Sequence, residues 1–313
     1  MAKKLPILLS FYALSGADST LIQGQLTYTS ANDLSFKDFT RRKTFRTLVK
    51  LYRTKPYANQ YIVLIFDKGK VHMKTDEYGS FYGRSNTYLE GAILQKIQLV
   101  SGEDVKLVPG LYEPKVDFIE NNVIAISDID DTLMHSYIYR KLLKFRTLMF
   151  TSVEKRRAVG QMKEVLQKLS LDGAATFYLS NSEQNLYPLI YRFLTHNSFP
   201  VGPIFLKKMR HFWDVLFNIK FPFRNMHKEQ MIVNIISFFP EKKYVLMGDN
   251  TQHDLSIYLA AAEKYPERIR YILIRKVVER GEDIVLMKKY EEQLRAADIK
   301  LYYAEDFPEE FRF

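Results

Sequence analysis

From about Asn121 onward, short apolar runs alternate with amphipathic segments. "VIAIS" precedes a helical pattern around "QMKEVLQKLSL". "TFYLS" precedes "EQNLYPLIYRFLT", and then comes "PIFLK". "KEQMIVNIISFF" precedes "YVLMGD", and "LSIYLAAAEKY" precedes "YILIRK". Few folds accept such a rhythm. Repeated β-then-α units predict a parallel sheet with helices on its faces. In sheets of that kind, ligands bind beyond the C-terminal ends of the strands. What the chain places at those ends therefore decides what it can do.

The first such end is unusual. "VIAISDIDDTL" puts Asp128, Asp130 and Asp131 within four positions of one another. Clustered carboxylates repel, and each raises the cost of ionising the next. A cation or a retained proton must offset that cost. The other ends add complementary groups. Ser180, Asn181 and Ser182 follow "TFYL", His227 and Lys228 stand at a helix start, and Gly248, Asp249, Asn250, His253 and Asp254 follow "YVLM".

Carboxylates, a hydroxyl and a lysine converging on one sheet edge suit phosphoryl transfer. A carboxylate can attack phosphorus and form an aspartyl-phosphate. A second carboxyl two residues on lies on the same side of an extended chain, and can protonate the leaving oxygen and then activate water. A lysine and a hydroxyl can hold the equatorial oxygens. Carboxylates from two strand ends suit Mg²⁺, a hard cation that takes few protein oxygens.

The first 120 residues read differently. "LPILLSFYAL", "STLIQGQLTYT" and "QYIVLIFDKGKVHMKTD" are strand-like, and "ILQKIQLVSGED" and "VKLVPGLYE" predict two further strands. "TDEYGSFYG" predicts a tight turn with Gly79 at positive φ. The N-terminal "MAKKLPILLSFYALSGAD" has the outline of a secretory signal, but Pro6, Ser10 and Tyr12 interrupt it. A first strand turning at Ser15–Gly16 is the better reading. "FKDFTRRKTFRTLVKLYRT" reads as a basic connecting helix. The predicted organisation is a β-sandwich-like domain over residues 1–120 and a Rossmann-like α/β domain over residues 121–313.

Composition limits the remaining choices. The chain has 313 residues, a formal charge of +10 and no cysteine, which excludes disulfides, thiolate metal sites and cysteine nucleophiles. Basic charge attracts phosphorylated substrates, anionic lipid or nucleic acid alike. No nucleic-acid module is recognisable, so no such partner is expected. No stretch reaches the roughly 18 apolar residues of a membrane span. Two basic aromatic stretches, 137–150 and 207–224 with Trp213, suit either helices packed on the sheet or helices lying on an anionic membrane. The gaps from Thr132 to Ser180 and from Ser180 to Lys228 hold about 47 residues each. That leaves no room for a large lid and favours a bulky substrate.

"DIDDT" after an apolar strand, Ser180, Lys228 and "GDNTQHD" together resemble the four motifs of the haloacid-dehalogenase-like phosphatase superfamily. The ordered series "SDIDDT", "FYLSNSEQNLYPLI", "FPVGPIFL", "HK", "VLMGDNTQHDLSIY" and "YPERIRYILIRKV" resembles, more narrowly, the actin-patch-associated phosphatidate phosphatase family and its bacterial relatives. The resemblance covers about residues 121–278. "IQGQLTY" and "KTDEYGSFY" extend it faintly into the first half.

The resemblance implies Asp128 as nucleophile and Mg²⁺ ligand. Asp130 is implied as general acid/base, its backbone carbonyl facing the metal. Ser180, with Asn181, and Lys228 are implied to bind the phosphoryl group. Asp249 and Asp254 are implied to serve the metal, and Thr132 to brace the loop. The implied substrate is phosphatidate, and the implied setting cytoplasmic with peripheral contact to anionic membrane. Two departures stand out. Asn250–Thr251 replaces the family's usual Ser–Gly, and Lys207–Lys208 replaces its usual Arg–Asp pair. The second bears on substrate choice. The alternatives are a phosphatase of another bulky or soluble phosphomonoester, or a catalytically inert membrane- or protein-binding module.

Overall fold

The computed structural model describes residues 6–28, 50–134, 158–208, 226–305 and 307. Most of the basic segment 36–54, both basic aromatic stretches apart from Lys207 and Lys208, and His135 lie outside the described residues. The chain divides into two compact units. The first takes Met1–Glu120, Ser182–Phe193 and a segment starting at Leu206. The second takes Asn121–Asn181, Leu194–Phe205 and the rest of the chain.

The first unit contains strands β1 (Pro6–Ser15), β2 (Thr20–Tyr28), β3 (Lys55–Pro56), β4 (Tyr61–Phe66), β5 (Gly69–Lys74), β6 (Ser80–Ser85), β7 (Leu94–Leu99), β8 (Asp104–Val105) and β9 (Val116–Phe118). They form one sheet ordered β3-β2-β1-β9, with β6 also on β2, and a second ordered β5-β4-β7-β8. Every residue of Pro6–Ser15 is buried. A strand covered on both faces needs no polar alternation, which is why its sequence is mostly apolar, with only Ser10, Tyr12 and Ser15 carrying polar groups. Its Phe11 ring meets Phe66 of the other sheet at 6.4 Å.

The turn before β6 is built by Asp76, whose carboxylate accepts from the Tyr78 and Ser80 N–H groups. Gly79 has φ +72°, and a Cβ there would sit 2.3 Å from the Leu26 carbonyl oxygen. The strand expected over "VKLVPGLYE" does not form beyond Val105. The chain turns at Gly110, φ +76°. The turn brings Tyr112 edge-on to Phe11 at 6.2 Å and its hydroxyl to the Val108 N–H at 2.9 Å.

The second unit has mixed α/β structure. Its strands are β10 (Val123–Ser127), β11 (Ala174–Glu183), β12 (Ile204–Lys207), β13 (Lys243–Asp249), β14 (Ile269–Arg275) and β15 (Lys300–Ala304). The helices in this half of the chain are α1 (Gly160–Leu171), α2 (Tyr187–His196), α3 (Met226–Phe238), α4 (Asp254–Lys264) and α5 (Gly281–Ala296), of which α2 falls mostly in the first unit. The strand order is β12-β11-β10-β13-β14-β15. β10 pairs in parallel with both β11 and β13, and β14 with both β13 and β15. Counted along the chain this is 3-2-1-4-5-6, so succession reverses between β10 and β13, where open parallel sheets hold their ligands. After β10 the chain turns through Met134, and an antiparallel bridge joins Met134 to Ala158 at the start of α1. The Val159 N–H also bonds the Leu133 carbonyl at 2.9 Å.

A candidate active site at the sheet reversal

Asp128 is the first residue beyond β10 and Asp249 the last of β13, neighbouring parallel strands. The Asp128 N–H bonds the Met247 carbonyl at 2.8 Å, so the ladder runs on into the site. Asp254 opens α4 and Lys228 sits in the first turn of α3. Asp128, Lys228 and Asp249 are 0 % exposed and Asp254 is 1 % exposed.

The Lys228 ammonium lies 2.7 Å from Asp128 Oδ1 and 2.5 Å from Asp254 Oδ1. Burial alone would lower the lysine's pKa, but the two carboxylates hold it above its ordinary range. A lysine so early in a helix opposes the helix dipole, and these carboxylates are what compensates it. Asp128, Asp249 and Asp254 each bring a carboxylate oxygen within 4.8 Å of the others. Burial, tempered by Lys228 and aggravated by Asp254, Asp249 and Asp130, raises the Asp128 carboxyl well above the usual range. Burial and then Asp254 push Asp249 up to about 7, against the N–H and hydroxyl of Thr251 and the charge of Lys228.

Thr132 spans the reversal. Its Oγ1 is 3.1 Å from Asp128 Oδ2 and 2.9 Å from Asp249 Oδ2. A hydroxyl has one hydrogen to donate, so the second carboxylate needs a proton or a cation. Three carboxylates and one ammonium leave a net charge of two minus if all ionise, and a divalent cation matches that deficit. The residues present fit such an ion, and Asp128, Asp249 and Asp254 would hold it.

Asp130 stands apart from that triad. Its Oδ2 accepts from the Ser180 hydroxyl at 3.0 Å, and both residues are buried. Ser180 lies inside β11, which runs on to Glu183, rather than just past a strand end as the sequence implies. Asn181 is half-buried and donates to the Gln252 side chain at 3.3 Å. His253 is exposed, and its backbone carbonyl receives the Ser256 hydroxyl and the Ile257 N–H. Lys208 belongs to the first unit and pairs there with Asp76 at 2.7 Å.

Two arginines that sequence reasoning passed over, and Asn250, which it noted as a departure from the family pattern, frame the site. Arg275 ends β14 and donates to the Asp131 carbonyl at 2.7 Å, fixing a loop in which Asp131 has φ +58°. Arg280 donates to the carbonyls of Asn250 and Gln252 at 3.2 and 2.7 Å. Asn250 is almost fully buried. Its Nδ2 shares its two hydrogens among Val278 O, Asp283 Oδ2 and the Tyr303 hydroxyl, and its Oδ1 accepts from the Val277 and Val278 N–H groups. Nothing in the spacing of these residues announces such contacts. They join segments that only the fold brings together.

The reversal of a parallel sheet and a buried carboxylate–lysine cluster define an α/β protein with a candidate active site, whose three carboxylates could hold a cation. Residues 123–276 match the family described as "Phosphatidate phosphatase APP1, catalytic domain", which supports that family and a phosphatase. Phosphatidate phosphatase APP1 of Saccharomyces cerevisiae is 28 % identical over 269 residues, 81 % of this chain and 44 % of the relative. An uncharacterized protein of Schizosaccharomyces pombe is 30 % identical over 239 residues, 74 % of this chain and 38 % of that protein. The chain thus spans less than half the length of these curated relatives. The match to a chain of the solved "Pnkp1/Rnl/Hen1 complex" covers 60 % of this chain and 48 % of that one at 14 % identity, with a TM-score of 0.33.

Proposed function

We propose that the protein hydrolyses a phosphomonoester, with phosphatidate the favoured substrate and diacylglycerol the product. The contact of buried Lys228 with Asp128 and Asp254 beside Asp249 carries this reading. The motif series supports placing the second unit in the haloacid-dehalogenase-like superfamily. The match to the phosphatidate phosphatase catalytic domain supports the lipid substrate.

In this reading an Asp128 carboxylate oxygen attacks phosphorus as the ester P–O bond breaks. Lys228 favours the ionised nucleophile and then faces the phosphoryl oxygens. Asp130 gives its proton to the departing alkoxide. It then takes one from the water that attacks phosphorus, and the bond between phosphorus and Asp128 breaks to release phosphate. Ser180 positions Asp130 before substrate arrives and, with Asn181, binds the phosphoryl oxygens afterwards. A bound Mg²⁺ supplies charge stabilisation at those oxygens.

The test is phosphate release from a panel of lipid, sugar, nucleotide and phosphopeptide monoesters, with and without Mg²⁺. We expect Mg²⁺-dependent release from phosphatidate in mixed micelles, lost in Asp128→Asn. Cleavage of soluble esters with phosphatidate ignored would move the substrate elsewhere. Release unchanged by Asp128→Asn, or no turnover of any ester, would overturn the proposal.

A further inference from the structure

The first unit holds a cationic pocket of its own. β5 pairs only with β4, and β6 only with β2, among the described strands, so each is an edge of a different sheet. Where these edges approach lies a cavity of about 360 Å³, lined by Lys70, His72, Lys74, Arg84, Ser85 and Thr87 among others, and by no carboxylate among the described residues. A Cβ added at Gly83 would touch the Met73 methyl at 3.4 Å, so the two edges are in contact there.

Alternation along β5 puts Lys70, His72 and Lys74 on one face, all exposed. The residues paired with them on β4 are Ile65, Val63 and Tyr61, so β4 sets no acid beside that row. Lys74 lies 5.0 Å from the Tyr61 ring centroid, a contact that steadies the ammonium without neutralising it. Lys70 and His72 make no ion pair among the described residues. The Ser85 hydroxyl accepts the Thr87 N–H at 3.1 Å, which leaves its own hydrogen to donate.

Convergent cations, a hydroxyl donor and no carboxylate make a receptor for a compact, multiply charged anion. We infer that this pocket binds a phosphate group, carried by a lipid headgroup or free in solution. The inference rests on the first unit alone and stands whether or not the second unit is a phosphatase. The competing role for these residues is purely structural, since lysines on edge strands discourage edge-to-edge pairing.

The test uses the full chain, parent and Lys70→Gln/Lys74→Gln/Arg84→Gln, with Lys288→Gln/Lys289→Gln/Lys300→Gln as a control of equal charge loss. Circular dichroism and melting establish that each folds. One arm measures sedimentation with phosphatidylcholine vesicles containing 20 mol % phosphatidate, or phosphatidylserine, or neither, with molarity as the readout scale. A second titrates inorganic phosphate and follows the His72 ring signal among the six histidines. We expect the pocket variant to bind anionic vesicles about 100-fold more weakly than the parent, each lost cation being worth roughly fivefold, and the control to bind far more tightly than the pocket variant. Vesicle binding without a phosphate response assigns the site to lipid, and the converse assigns it to a soluble phosphate. Equal weakening of both variants, or neither vesicle nor phosphate binding, would overturn the inference and leave edge protection as the role.

Discussion

Lys228 bears the largest local consequence of any residue described. With its ammonium gone, the buried carboxylates lose their compensating charge. Lys228→Met should cost about 3–5 kcal/mol, read as a lower denaturation midpoint, and Mg²⁺ should restore part of it. Asp249→Asn acts in the opposite direction. It removes one repelling charge, so metal-free protein should melt higher than the parent, while the Mg²⁺-induced rise in melting temperature disappears. Asp128→Asn should reduce phosphate release by more than about 10³-fold with the fold intact. Gly248 has a different role. A Cβ there would lie 2.6 Å from Asp254 Oδ2 and 2.9 Å from the Tyr258 ring. Gly248→Ala should therefore cost about 1–3 kcal/mol by overpacking and weaken cation binding by displacing Asp254, as calorimetry would show.

Among the elements, the loops after β10 and β13 are held by groups from β14 and the segment beyond it. Arg275→Ala should lower kcat more than KM, because it frees the Asp131 carbonyl without touching substrate, and Arg275→Lys should recover part of the loss. Asn250→Ser should destabilise by about 2–4 kcal/mol, since buried partners across the Val277–Asp283 segment lose their bonds. The strands and helices of residues 121–275 were legible because short apolar runs alternate cleanly with amphipathic ones. α5 and β15 were not singled out. Only Asp283 and Leu294 of α5 are buried, so its apolar stripe is thin, and the β15 residues are exposed or half-buried. "VKLVPGLYE" misled because its apolar residues serve a turn that folds back on Phe11. The clustering of aspartates could be read directly. Which carboxylate meets Lys228 and which meets Ser180 could not, because strand alternation does not survive into a loop where Asp131 is left-handed.

For the molecule as a whole, cation binding and pH are linked. A carboxyl raised above its unfolded value binds more protons folded than unfolded between those two values. Metal-free stability should therefore fall as pH climbs from the ordinary carboxylate range through about 7, the value for Asp249. The cation competes for the same oxygens, so its affinity should rise over that interval and level off above it. Thermal shifts with and without Mg²⁺ at pH 6 and pH 8 would show the larger increment at pH 8. No helix among the described residues is long and apolar enough to cross a membrane. The bridge between Met134 and Ala158 has a broader meaning. Together with the bond from the Val159 N–H to the Leu133 carbonyl, it staples the turn that carries Asp128 and Thr132 to the residues just before α1. The helix thereby anchors the loop, so whatever loosens the start of α1 should also loosen the cluster's grip on Mg²⁺.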